Sequence, residues 1–78
     1  MKELIEYIAR SVVDDPTQVE VRSRRQGPTT DLQLKVAKED MGRVIGRNGR
    51  VANAMRALLR VSAARQNKRA HLEIVDPE

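Results

Sequence analysis

The 78 residues allow one domain with a thin core, which we expect to span residues 1–78. Cysteine is absent, so disulfide frameworks and thiolate metal sites are excluded, and no apolar run approaches the roughly 20 residues of a membrane span. The net charge of +4 is uneven, because residues 1–40 hold seven Lys/Arg against eight Asp/Glu and residues 41–78 hold eight against three. These features favour a cytoplasmic protein without a membrane segment.

The N-terminal half predicts a helix and a hairpin. Apolar residues recur at helical spacing over residues 2–13, and the Asp-Asp-Pro run at 14–16 ends that helix. Residues 17–25 and 31–37 alternate apolar and polar side chains, which is the two-residue period of a half-buried strand. The Gln-Gly-Pro-Thr segment at 26–29 has the composition of a turn. We therefore predict an antiparallel hairpin whose second strand buries Leu32, Leu34 and Val36.

The C-terminal half predicts two helices and a strand. A short helix from Glu39 stops at Gly46, a longer one begins near Gly49 or Arg50 and closes at Asn67–Lys68, and residues 70–75 alternate as a strand before a short acidic tail. The order α-β-β-α-α-β predicts an α+β fold with helices on one face of a three-stranded sheet. The core stripe predicted for the long helix comprises Ala52, Met55, Leu58, Leu59 and Ser62 or Ala63.

Positive charge dominates this half. No acidic residue lies between Met41 and Leu72, while eight Lys/Arg do. Such a distribution favours a polyanionic partner, although a charge run can also be a solvated helix face.

The junction of the two helices is the best candidate site. Gly46 and Gly49 stand where the chain needs left-handed dihedrals and where a missing side chain lets a phosphate approach the backbone. Arg43, Arg47 and Arg50 surround the same point and can add charged donors. The alternative is an ordinary connection in which Gly46 only caps a helix.

The sequence Val-Ile-Gly-Arg-Asn-Gly-Arg at residues 44–50 resembles the VIGxxG signature of KH domains. The element order resembles the type II arrangement of that fold. From Met1 through the Glu-Asp-Met-Gly-Arg-Val-Ile-Gly run to Asp76, the chain looks like the small stand-alone bacterial KH proteins of the KhpA (YlqC) family.

This resemblance implies a groove for about four nucleotides of single-stranded RNA. It implies that phosphates contact the loop and that apolar side chains, including Leu34 or Val36, support the bases. It also implies an RNA chaperone or post-transcriptional regulator. The RNA-binding residues so expected are Gly46, Arg47, Asn48, Gly49, Arg43, Arg50, Val44 and Ile45. One departure is Ala52, where many KH domains carry a larger aliphatic residue; Val51 and Met55 can fill that space.

Nothing in the sequence indicates an enzyme, a cofactor or a metal site. His71 is the only histidine and is predicted on the sheet face opposite Leu72. Off the core stripe, Ala54, Ala57, Val61 and Ala64 form a small-residue strip that is either helix-favouring filler or a self-association surface. Similar KH proteins form homodimers or pair with a KhpB/Jag-type RNA-binding protein. The alternative functions are therefore a protein-interaction module or a binder of single-stranded DNA.

Overall fold

The computed structural model describes residues 1–75 and confirms the predicted order of elements. The predicted acidic tail, residues 76–78, lies outside the described residues. Single 3-10 turns occupy Pro16–Gln18, Lys38–Asp40 and Arg47–Gly49. Across the described part of the chain, no helix is both long and apolar enough to cross a membrane. The helices and strands are α1 (Lys2–Val12), β1 (Glu20–Gln26), β2 (Thr29–Lys35), α2 (Met41–Ile45), α3 (Arg50–Arg65) and β3 (Arg69–Ile74).

The three strands form one sheet in which β2 is central. β1 pairs with β2 antiparallel, as the hairpin prediction requires, and β3 pairs with β2 in parallel. In this register Leu32 lies between Ser23 and Leu72. β1 and β3 are therefore the two edges of the sheet, a point that periodicity alone could not decide.

The core lies between one face of this sheet and the helices. Ile5 and Ala9 of α1, Val44 of α2, and Met55 and Leu59 of α3 pack against the inner face of the strands. The predicted inner face of β2 is confirmed. The core comprises Ile5, Ala9, Val19, Val21, Leu32, Leu34, Val36, Val44, Met55, Leu59 and Leu72.

The predicted core stripe of α3 was wrong at Leu58. The buried residues of this helix are Ala52, Met55, Leu59 and Ala63, whereas Leu58 is 49% exposed. These four positions follow one narrow line around the helix, and Leu58 lies about 100° from Leu59. Leu58 therefore contributes to the surface of α3 and not to its packing on the sheet.

The first strand begins later than predicted. The Asp15 carboxylate accepts a hydrogen bond from the Thr17 backbone N–H at 3.2 Å, which closes a turn before the strand can start. The hairpin is also tighter than predicted, because Gln26 pairs directly with Thr29 and leaves only Gly27 and Pro28 between the strands. Gly27 has φ +60°, and glycine is favoured at that position in a two-residue hairpin.

The end of α3 has a defined stop signal. Asn67 has φ +56°, the Lys68 N–H donates to the Ala63 carbonyl at 2.9 Å, and the Asn67 N–H donates to the Ala64 carbonyl at 3.1 Å. This pair of bonds is the Schellman arrangement, with asparagine at the left-handed position where glycine is more common. It turns the chain directly into β3.

Candidate functional site

The loop between α2 and α3 has an unusual backbone. Gly46, Asn48 and Gly49 all have positive φ, at +77°, +57° and +76°. Asparagine is among the few non-glycine residues that tolerate this region. At Gly46, whose ψ is 172°, an added Cβ would lie 2.6 Å from Val51 Cγ2 and 2.8 Å from the Val51 nitrogen. Gly46 is thus required by both conformation and space.

The two helix ends at the loop differ in how their backbone groups are used. The Gly46 N–H donates to the Gly42 carbonyl at 2.8 Å and ends α2, so the predicted stop is confirmed. Gly49 is the N-cap residue of α3, and no side chain within the described residues caps it. The Gly49 N–H donates to the Gly46 carbonyl at 3.1 Å and the Arg50 N–H donates to the Arg47 carbonyl, whereas no described side-chain acceptor meets the amide dipoles at the start of this 16-residue helix.

The three predicted arginines are not equivalent. Arg47 and Arg50 are exposed, and neither makes an ion pair with any residue in the range 1–75. Arg43 Nη2 lies 3.0 Å from Asp14 Oδ2, and Arg43 Nε lies 3.7 Å from Asp40 Oδ1. Two cations at the loop are thus available to a ligand, while the third is engaged by carboxylates.

The apolar residues expected to support bases are mostly inaccessible. Val44, Leu34 and Val36 are at most 2% exposed, so none of them can touch a base in this structure. Leu34 lies in the central strand β2 and Val36 follows directly after it, and both belong to the core between the sheet and the helices. Ile45 differs, because 39% of it is exposed beside the loop. It is the one predicted apolar site residue with an accessible surface.

Sequence reasoning missed a groove between α3 and the β3 edge. Arg56 Nε donates to the Leu72 carbonyl at 3.4 Å, which fixes this side chain across the groove. A depression of about 210 Å³ lies here, and a neighbouring one of about 270 Å³ continues toward Lys68 and Arg69. Among residues 1–75, no acidic side chain lines either of them. Arg56 and Arg60 lie off the core stripe that the sequence predicts for α3, and the pairing of β3 with β2 gives them a neighbouring strand. The lining residues are Arg56, Leu59, Arg60, Ala63, Lys68, Arg69, Ala70, His71 and Leu72.

The open face of the sheet has a different character. It holds a broad depression of about 600 Å³ in which Arg22 and Arg24 are accompanied by Asp31 and Glu73. Gln33 Nε2 donates to Glu73 Oε1 at 3.4 Å, and His71 projects to this face as predicted. This face therefore carries mixed charge, in contrast to the α3–β3 groove, whose described lining includes no acidic residue.

The fold, with a VIGRNG loop joining two helices that pack on a three-stranded sheet, is that of a KH domain. Residues 2–74 match the family model described as "KhpA/KhpB, KH domain". The chain belongs to the KhpA/KhpB KH-domain family, as the VIGxxG signature indicated.

Relatives of nearly the same length support this assignment. The chain is 47% identical over 75 residues to the RNA-binding protein KhpA of Clostridium acetobutylicum, covering 96% of this chain and 100% of the relative. It is 49% identical over 75 residues to the protein of the same name from Treponema pallidum, covering 96% and 94%. These relatives are named as RNA-binding proteins and not as enzymes, in agreement with the expectation of a non-enzymatic chain.

Proposed function

We propose that this protein binds single-stranded RNA and that the Gly46–Gly49 loop holds the sugar-phosphate backbone. The observation that carries the proposal is the loop itself, because the start of α3 has no side-chain cap among the described residues and two exposed arginines stand beside it. Arg47 and Arg50 add cations that no described carboxylate neutralises. The name shared by the relatives supports RNA as the ligand.

The bound strand continues from the loop along the α3–β3 groove. Arg56 and Arg60 line that groove, in which the described part of the chain places no acidic residue, and β3 is an edge strand of the sheet. Ile45 offers an apolar contact near the loop. No aromatic residue is present to stack on a base here, since Tyr7 of α1 is the only one in the chain. Stacking contributes about 1–3 kcal/mol per base in other single-strand binders, so affinity rests on phosphate contacts and falls steeply with salt.

A double substitution tests the loop. Arg47→Asp with Asn48→Asp removes one cation and adds two carboxylates where the phosphates lie, while aspartate still tolerates the left-handed conformation at position 48. We expect RNA binding to be lost and the circular dichroism spectrum to be unchanged. A matched control, Lys2→Asp with Gln18→Glu, makes the same change in net charge at exposed positions of other segments. It should keep most of the affinity.

Two results would contradict the proposal. The first is that the loop variant binds as tightly as the wild type at equal salt. The second is that loop variant and control lose affinity equally, which would mean that net charge and not the loop holds the ligand.

Competition between RNA and DNA strands of one sequence decides whether the protein recognises the 2′-hydroxyl. Equal competition would favour the alternative of single-stranded DNA binding.

We further propose that the protein acts in the cytoplasm as an RNA chaperone or post-transcriptional regulator. A weak, electrostatic grip on unpaired RNA suits a chaperone, because it holds strands open without trapping them. Strand annealing between two fluorescently labelled RNA hairpins measures this directly. Annealing should accelerate with the wild type and stay at the uncatalysed rate with the Arg47→Asp, Asn48→Asp variant.

A second candidate function is self-association through α3. Leu58 is 49% and Val61 55% exposed, and the predicted small-residue strip lies on the same solvent-facing side of the helix. Small side chains allow two helices to approach closely, and a domain with a thin core gains from additional burial. A homodimer, or a heterodimer with a KhpB/Jag-type protein, would use this strip.

Light scattering on a Val61→Asp variant tests this surface. A charge in the strip should lower the measured mass to that of one chain, whereas Asn53→Asp, on the same helix but beside Arg56, should not. A wild type that is monomeric at high concentration would refute homodimerisation.

A further inference from the structure

Asp40 is a buried carboxylate with a defined set of partners. Only 2% of the residue is exposed, and its two oxygens accept hydrogen bonds from the Asp14 and Asp15 backbone N–H groups, each at 3.1 Å. Asp40 precedes α2, whereas residues 14 and 15 follow α1. This side chain therefore ties the connection between α1 and β1 to the start of the helix that carries the loop.

Arg43 completes this connection. Its Nε lies 3.7 Å from Asp40 Oδ1 and its Nη2 lies 3.0 Å from Asp14 Oδ2, so one guanidinium spans both carboxylates. A buried carboxylate needs a compensating cation, and Arg43 is the only cation that pairs with Asp40 among residues 1–75. The planar fork of arginine suits this two-sided contact, which a lysine ammonium cannot reproduce.

The direction of Arg43 also separates it from the ligand. Arg43 and Ile45 are two residues apart on α2, so their side chains leave the helix about 200° apart. Ile45 is the apolar residue exposed beside the loop, while Arg43 points toward the α1–β1 connection. The two cannot face one groove.

Helix α2 depends on such contacts. It has five residues, and a helix this short is not stable by itself. Its last turn delivers Gly46, whose N–H bonds to the Gly42 carbonyl. Any loosening of α2 therefore moves the first residue of the loop.

We propose that Arg43 is a positioning residue, which bridges Asp14 and Asp40 to fix the loop in its binding conformation and does not itself contact phosphate. The effect on RNA rests on the proposed function, but the effect on the loop does not. This assignment revises the role that the sequence indicated for Arg43, since charge and proximity in the sequence alone placed it with Arg47 and Arg50.

The experiment compares Arg43→Gln with Arg47→Gln in two measurements. In the first, affinity for an eight-nucleotide uridine strand is followed from low to high salt. The slope of log K against log salt is negative, and each lost phosphate contact makes it shallower by about 0.7 for single strands. We expect Arg47→Gln to make the slope shallower by this amount. Arg43→Gln should keep the wild-type slope and weaken binding by up to about five-fold at every salt, the range that an exposed ion pair contributes.

The second measurement is amide hydrogen exchange at residues 46–50 without RNA. Exchange should accelerate in Arg43→Gln and stay unchanged in Arg47→Gln. Asp14→Asn removes only an exposed carboxylate and should keep the fold even if Arg43→Gln does not. It should accelerate the same amides to a smaller extent, and Arg43→Lys should restore part of the protection lost in Arg43→Gln.

The two proposals fail separately. If Arg43→Gln and Arg47→Gln make the salt dependence equally shallower, Arg43 is a phosphate ligand and its positioning role is overturned. Exchange at residues 46–50 that responds to neither Arg43→Gln nor Asp14→Asn would also overturn that role. If Arg47→Gln alters neither affinity nor slope, the RNA site is wrong, while exchange in the free protein still decides the role of Arg43.

Discussion

Replacing Gly46 with alanine should destabilise the domain far more than the same change at the other glycines near the loop. Its φ of +77° and ψ of 172° lie in a region that is essentially restricted to glycine, where strain costs about 1–3 kcal/mol. The new Cβ would also lie 2.6 Å from Val51 Cγ2 and 2.8 Å from the Val51 nitrogen. The backbone atom cannot move aside as a side chain can. Overpacking of this kind adds about 1–3 kcal/mol.

The expected total loss of unfolding free energy is therefore about 2–6 kcal/mol. Urea denaturation followed by circular dichroism measures it, with an unchanged m-value as the sign that only stability has changed. Two matched variants calibrate the result. Gly49→Ala also places a side chain on a left-handed residue, but its Cβ meets only Asn53 Nδ2 at 3.6 Å. We therefore expect a loss of about 1–2 kcal/mol of unfolding free energy. Gly42→Ala lies within α2 with no atom within 4 Å and should stabilise by about 0.5–1 kcal/mol.

The ranking of the three variants carries the test. If Gly46→Ala costs no more than Gly49→Ala, the close packing of Val51 against the loop is wrong. There would then be no steric reason why position 46 must lack a side chain.

Three further tests of the packing use urea denaturation. Leu59→Ala should cost about 2–5 kcal/mol because Leu59 is 1% exposed, whereas Leu58→Ala should change stability by less than about 0.5 kcal/mol; equal losses would refute the assigned face of α3. Asn67→Gly should stabilise by about 0.5 kcal/mol because glycine adopts the left-handed position without strain, and a loss would contradict the assigned stop. Asp40→Ala should cost about 2–4 kcal/mol because it leaves two backbone N–H groups without their acceptor, while Glu39→Ala at the neighbouring exposed position should be nearly neutral. Similar effects of the two variants would contradict a stabilising role for the hydrogen bonds to Asp40.

Local patterns predicted the elements well because each depends on neighbours in the sequence. The alternation of Leu32, Leu34 and Val36 predicts which face of the second strand is inward. Gly46 predicts the end of a helix because glycine adopts the positive φ that the chain has there. The late start of β1 is also local, but it depends on a hydrogen bond from Thr17 to Asp15 that periodicity does not record.

The remaining features depend on contacts between distant segments. Arg43 was grouped with the loop arginines because nothing in the sequence places Asp14 beside it, at a separation of 29 residues (43 − 14). The α3–β3 groove likewise exists because β3 pairs with β2 and leaves its other edge beside Arg56. The prediction for Leu58 was wrong because Leu58 and Leu59 lie about 100° apart around α3, and only the packing of the helix on the sheet decides which of the two is buried.

The two edge strands have a consequence for solubility. Within the described chain, β1 and β3 each have one side without a strand partner, which is a template for cross-β growth. Exposed Arg24 and Arg25 on β1 are charged side chains of the kind that disfavours edge-to-edge pairing of two copies. Concentrated salt screens their repulsion. Arginine, the residue type that we propose for the contact with phosphate, therefore also protects this edge of the sheet, and neutralising the sheet arginines should promote fibrous assembly.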